Sequence, residues 1–237
     1  MNKIKVGFFS FSDLPEPGAY VKWHQTDHMA EQFRIAGLSW GQRFVATAAC
    51  EKASATRSGA FVDARHLQNY LMEDPRRVLA EFEALGHELT GLGRMRTDIS
   101  PCSMGAYHLL ETHASPRVLL SPEAVPYRPN HGVYVIVETT SDLTTHAEWM
   151  QKQHVVGIPA LLNLEGVVGI WSYASTGAYG IPRNELAVQV IYLDQDPVTV
   201  ATTLEPLLAD RWRNAPVEPL LAGPFLSYFP PPDSWVL

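Results

Sequence analysis

The sequence predicts an α+β fold assembled from two similar halves, on three observations. Trp23, His28, Gly37 and Phe44 reappear in order as Trp149, His154, Gly166 and Tyr173, with three extra residues between His and Gly in the second copy. Hydrophobic periodicity alternates between the strand and helix patterns in the same order, β-α-β-β-α-β, twice along the chain. A Pro-rich stretch without sustained period, HASPRVLLSPEAVPYRPN, separates the two runs. The chain therefore reads as a tandem duplication, with an N-terminal unit over residues 1–113, a linker over 114–129 and a C-terminal unit over 130–237.

Ile4 to Ser10 is a β-rich run with alternation, and the Pro-Glu-Pro-Gly at 15–18 precedes a helical stretch from Ala19 to Ala36. Gly37 closes that helix in the C-terminal role glycine commonly takes. Leu38 to Ala48 and His66 to Glu73 read as strands, and Pro75 suits the first turn of a helix running to Leu89. Cys102 to Thr112 supplies a fourth strand. Beyond the linker, Gly132 to Thr139 is a strand and His146 to Gly157 a helix that Pro159 interrupts or ends. Val167 to Ala174 and Glu185 to Leu193 are strands, Pro197 to Asn214 a helix, and Leu220 to Phe229 the last strand.

That order is the split-βαβ, ferredoxin-like unit. Such a unit leaves one face of its antiparallel sheet without helices, and two copies in one chain can cover each other's sheets as an intrachain α+β barrel. The C-terminal FPPPDSWVL, carrying Trp235, reads as an arm laid on a neighbouring surface or as a frayed tail.

A chain of 237 residues with 46% hydrophobic content can bury two ordinary cores. The formal net charge is −7 with scattered basic residues, so nucleic acid is not an expected partner. The apolar run after Lys3 and Lys5 stops at Ser12 and Asp13 with no small-residue cleavage site, and it reads as a first strand rather than a signal peptide. Nothing approaches the roughly 20 apolar residues of a membrane span. Cys50 and Cys102 lie outside any CxxC spacing, and two free thiols in a reducing cytoplasm is the plainer reading.

At YVKWHQTDHMAEQFRIAGLSWGQRF the first half resembles the dimeric α+β barrel superfamily, which includes EthD-like proteins, antibiotic-biosynthesis monooxygenases, muconolactone isomerases and plant polyketide cyclases. Trp23, Asp27, His28 and Gly37 match the aromatic, acidic, His and Gly pattern of its first helix, and HLQNYLMED followed by Pro75 resembles its third strand and exit. The second half has Gln153 where the acid would stand. The resemblance implies an enzyme without a cofactor that acts on a small molecule, with a homodimer possible.

On a helical wheel Trp23, Thr26, Met29, Ala30, Phe33 and Ala36 form the core stripe of the first helix. His24, Asp27, His28 and Glu31 lie mostly on the other side, where a solvated polar face is the plain alternative to a site. His28 aligns with Val21 and Ile35, seven residues either way, so it is expected at least partly buried or at a pocket. An imidazole there suits general acid–base catalysis, with Asp27 or His24 as its partner. The substrate is expected between the sheet face and this helix, against Trp23. His66 and Tyr70 share one strand face, from which Tyr70 could donate to a substrate carbonyl. Either Trp40, as an apolar wall, or Arg43, favouring an anionic ligand, lines the pocket, and so does at most one of Tyr107 and His108.

His24, Asp27 and His28 have one-face ligand spacing. No zincin motif or third ligand accompanies them, so no metal is expected. Proton transfer by these residues fits isomerase, cyclase or lyase chemistry on an aromatic or lactone-like metabolite, and the resemblance implies its nearest rival, cofactor-free monooxygenation. A haem-binding protein resembling chlorite dismutase, with His154 on the iron, and a non-catalytic ligand carrier are further alternatives.

Overall fold

The structure, a computed structural model, describes residues 3–14, 17–96, 101–140 and 143–228. The arm reading of FPPPDSWVL falls outside them. The first half contributes β1 (Val6–Ser12), α1 (Pro17–Trp23), α2 (Met29–Gln32), β2 (Leu38–Val45), α3 (Ala48–Lys52), β3 (Thr56–Arg57), β4 (His66–Met72), α4 (Pro75–Gly91) and β5 (Pro101–Ala114). The second contributes β6 (Gly132–Thr139), α5 (Leu143–Lys152), α6 (Ile158–Leu162), β7 (Val167–Ser175), β8 (Leu186–Leu193), α7 (Pro197–Trp212) and β9 (Glu218–Ser227).

The strands form one antiparallel sheet in the order β2-β4-β1-β5-β7-β8-β6-β9-β3, and β2 also pairs with β9. Read from its fourth strand, each half has the order 4-1-3-2, counting the short β3 aside as an addition to β9. The fourth strand of each half pairs with the second strand of the other. At one seam β5 runs along β7 from Tyr107↔Ser175 to Ala114↔Gly169. At the other, Phe44↔Ser227 and Val45↔Leu226 join β2 to β9 and close an α+β barrel. Closure leaves these main strands without an open edge.

Alternation along each strand sorts side chains between the barrel interior and the helical layer. Phe9, Leu67, Tyr107, Trp171, Tyr173 and Phe225 point inward and are buried. Phe9 packs edge-on against Tyr107 and Tyr173, with centroids 5.5 and 5.0 Å apart. Phe8, Tyr70 and Met72 instead face the helices of the first half, and Tyr134, Ile136 and Ile191 face those of the second.

Two helix starts use the same device: Asp74 and Asp196 cap α4 and α7 by accepting from backbone N–H groups, with Pro75 and Pro197 in the first turn. Gly37 takes a left-handed φ of 87° after α2, where a Cβ would lie 2.9 Å from the Arg77 guanidinium.

Three sequence expectations need correction. Both first helices of the halves contain a π-helical turn, at His24–His28 and Gln153–Gly157, which adds a residue and rotates the following face. In the first half Thr26, Ala30, Phe33 and Ala36 are exposed, whereas Val21, His24, His28, Gln32 and Ile35, at helical spacing, are buried. The predicted core stripe is therefore largely on the wrong side. The second such helix was expected to be interrupted or ended by Pro159; it runs on to Leu162, with the π-helical turn directly before Ile158 and Pro159 in the first turn of α6. The short helix α3, capped by the Thr47 hydroxyl, lies beyond β2 where the strand was expected to continue.

Candidate active site

Between the first helix of the N-terminal half and the outer face of β1 and β4 lies a cavity of about 190 Å³. Its walls are aromatic and thioether groups, among them Phe8, Tyr20, Trp23, Phe82 and Met104, and its polar groups include His24, His28, Gln32, Gln68 and Tyr70. Among the described residues no carboxylate lines it. Strand alternation delivers Gln68 and Tyr70 to this face, and the buried stripe of the first helix delivers His24, His28 and Gln32. Gly41 sits opposite Tyr70 in the ladder, where a Cβ would come within 2.6 Å of the phenol ring, so glycine there makes room for it.

His28 is 7% exposed and stacks on Trp23, with centroids 4.8 Å apart and planes inclined by 14°. Its Nε2 lies 2.8 Å from the Gln32 amide nitrogen, while Nδ1 is buried without a hydrogen-bond partner. Turning the amide so that Oε1 accepts from Nε2–H leaves the Nδ1 lone pair free. His24 packs edge-on to His28 at 5.4 Å, and its Nε2 lies 3.4 Å from the Tyr70 hydroxyl. The His24 Nδ1 is likewise buried without a partner.

Electrostatics keep both imidazoles uncharged. Burial and then the Arg43 charge pull His28 down to about 4, against an opposing pull from Glu31. The same two causes, with His28 added, hold His24 well below its ordinary value. Burial pushes the Tyr70 phenol well up, so it stays protonated as a donor.

Arg43 does not line this cavity. It is 2% exposed, its Nη2 donates to Gln68 Oε1 at 3.0 Å, and its guanidinium lies 5.2 Å from the Tyr20 ring centroid. It acts from behind those two lining residues, through its field. Trp40 and Arg43 instead border a neighbouring hollow of about 450 Å³ with Met29, Phe33 and Tyr127, and neither of them lines the candidate cavity. The ladder register is continuous from Trp40 to Arg43, so the two side chains keep opposite strand faces.

Other expected site residues are placed elsewhere. Asp27 is exposed and accepts from the Thr26 hydroxyl at 2.7 Å, so it does not back His28. It lies off the buried stripe, in an outer groove shared with Trp23 and His28. The carboxylate whose field reaches His28 is Glu31, held below the usual range by hydrogen bonds from Arg94 and Arg34. Tyr107 points into the barrel, on the opposite sheet face. His66 is buried and held near 4 by burial and Arg43, on the face of Tyr70 but outside the cavity lining. Sequence reasoning missed Tyr20, Gln32 and Gln68. Gln68 was legible from its alternation with Tyr70.

The corresponding space in the second half is filled. Arg211 there donates to both Glu138 carboxylate oxygens at 2.7 and 2.8 Å and to Gln153 Oε1 at 3.0 Å, with its guanidinium 4.6 Å from the Trp149 centroid. His154, the positional twin of His28, is 56% exposed at its side chain, and its Nδ1 lies 2.5 Å from Glu111. A haem in that half would have to displace the buried Arg211–Glu138 pair, and His154 points away from the space. The residues present do not fit an iron ligand role for His154.

No protein-family profile matches the chain, and no curated protein sequence matches it. Solved structures do share its fold. An anthrone oxidase-like protein superposes with a TM-score of 0.55 at 12% identity, covering 96% of this chain and 93% of that one. A candidate monooxygenase from Lactobacillus acidophilus gives 0.50 at 6% identity, covering 94% and 95%. A mutant chlorite dismutase from Candidatus Nitrospira defluvii gives 0.51 at 12% identity, covering 95% and 92%. What the chain shares with these structures is the fold. Among the described residues no helix is long and apolar enough to cross a membrane, and Cys50 and Cys102 are both free thiols.

Proposed function

We propose that this chain is a cofactor-independent enzyme that removes a proton from a hydrophobic aromatic ketone or phenol and lets the resulting carbanion react with dioxygen. The observation that carries this reading is the pairing, in one aromatic-walled cavity, of two uncharged imidazoles with a phenol that keeps its proton. A volume of about 190 Å³ lies below that of drug-sized sites and suits a small planar ring system.

His28 Nδ1 is the base in this reading. Its low basicity reflects burial and the cation Arg43, and the developing substrate anion offsets that same cation, so proton transfer becomes easier as charge builds. Tyr70 donates to the substrate oxygen on which the charge collects, and His24 positions Tyr70. Trp23 stacks on His28 and fixes its plane. In this reading His28 is the base and Tyr70 the donor, as expected from the sequence, whereas His24 acts on Tyr70 instead of partnering His28, and Asp27 takes no part.

Oxygenation is favoured over isomerisation by the neighbours with an oxidase-like or monooxygenase description. For an anthrone the overall change is a methylene plus O₂ giving a ketone plus water. The second reading, isomerisation or cyclisation, returns the proton to another carbon and uses the same residues. The duplication implied by the Trp–His–Gly repeat, divided at residues 113 and 130, belongs to the same reading, with the second half having filled its site.

Oxygen-electrode assays with anthrone separate the two. Oxygenation predicts uptake of one O₂ per anthrone converted to anthraquinone, above the spontaneous rate and abolished under nitrogen. Turnover of an aromatic metabolite at the same rate with and without oxygen favours isomerisation. Anthrone oxidation at the spontaneous rate removes support from the oxygenase assignment.

A further inference from the structure

We propose that Glu111, His113 and His154 form a binding site for a single first-row divalent cation of the zinc type. It lies outside the cavity described above. Glu111 and His113 are two apart on β5, so strand alternation sends both side chains to one face. The π-helical turn Gln153–Gly157 of the second half brings His154 against them.

One carboxylate oxygen of Glu111 lies 3.0 Å from His113 Nε2 and 2.5 Å from His154 Nδ1. The three potential ligand atoms all lie within 4.8 Å of one another. A tetrahedral zinc site, with bonds of about 2.0–2.2 Å, spaces its ligand atoms about 3.3 Å apart. Small rotations of exposed side chains therefore convert the hydrogen-bonded triad into a coordination shell. Two imidazoles and one carboxylate form a borderline-soft donor set that suits zinc over calcium or magnesium, which prefer oxygen. Side-chain exposures of 19% for Glu111, 23% for His113 and 56% for His154 leave room for entry and for water at the remaining coordination positions.

Burial and hydrogen bonding account for these groups only in part. Two imidazoles converging on a single oxygen is more than one buried carboxylate needs for a partner.

The test is a titration of the chelator-stripped, tag-free full chain with Zn²⁺ at about pH 7.5, in competition with a chromophoric chelator. Wild type is expected to bind one equivalent. Because even outer-shell changes at metal sites cost about tenfold or more, Glu111→Gln, His113→Ala and His154→Ala should each weaken binding by at least that factor. His87→Ala, an exposed histidine on α4, should not. His154→Ala carries little risk to folding because the side chain is more than half exposed, and circular dichroism checks the other two. Absence of stoichiometric binding, or an affinity unchanged by His154→Ala or Glu111→Gln, would overturn the assignment.

Discussion

Moderate acidification should destabilise this protein far more than its charge alone implies. His24, His28 and His66 are buried, and all three are held below the ordinary imidazole value of 6.5, burial first and Arg43 second. Folding therefore disfavours their protonation. Stability is full above the unfolded value and is lost as pH falls from there toward the folded values, near 4 for His28 and His66. Between about pH 7 and pH 5, an unfolded imidazole gains roughly 2 kcal/mol of protonation free energy that an uncharged folded one does not. Three such groups give about 5 kcal/mol, with His66 discounted for its partial solvent access. That is comparable with the whole stability of many domains, roughly 5–15 kcal/mol. Glu31 and Glu111, both held below the ordinary carboxylate value of 4.5, lose their contribution only at lower pH and leave this window clear. Urea unfolding followed by tryptophan fluorescence at the two pH values measures the loss directly. His28→Gln should lose about 2 kcal/mol less than wild type over the same interval. A wild-type loss below about 1 kcal/mol would refute the picture of three uncharged buried imidazoles.

Three further outcomes follow from the same geometry. Glu138→Gln leaves Arg211, 5% exposed at its side chain, without its counter-charge and should cost about 3–5 kcal/mol; calorimetry should show this as a Tm lower by about 10 °C. Arg43→Met removes the cation that depresses the histidines, so NMR titration should find the His28 imidazole above its present value of about 4, moving toward the unperturbed range. Tyr70→Phe removes a donor held weakly at 3.4 Å from His24, so Tm should change little while turnover falls about tenfold.

Strand content was legible because period-two alternation and β-branched runs survive in the sequence: Gly132 to Thr139 is bounded as expected, and His66 to Glu73 ends one residue later than β4. The order of elements carried the barrel with it, since two uncovered sheet faces in one chain have to be covered. Failure came at the first helix of the first half, where the apolar stripe was placed on the side of Trp23, Thr26, Ala30 and Phe33, three of which are exposed. His24, His28 and Gln32 lie inward and Asp27 outward on the 3-4-4-3 spacing that runs from Val21 to Ile35, a stripe of helical period that was legible but was assigned to the polar face because three of its five members are polar. The alignment of His28 with Val21 and Ile35 did survive, because all three are buried. Arg43 was invisible as a second-rank group because its influence runs through Gln68 and Tyr20, residues far from it in sequence. The closed site of the second half depended on Arg211 meeting Glu138 across 73 residues, a contact only the fold creates.

The central claim is that the N-terminal cavity abstracts a proton through His28. Anaerobic incubation with anthrone in deuterated buffer isolates that step from any oxygen chemistry, because exchange at the methylene is read by mass spectrometry or NMR without turnover. Wild type should catalyse exchange well above the buffer rate, and His28→Ala should lose about 10² to 10⁴ of it while still binding the ligand. Exchange at the buffer rate in wild type, or an undiminished rate in His28→Ala, would contradict the account.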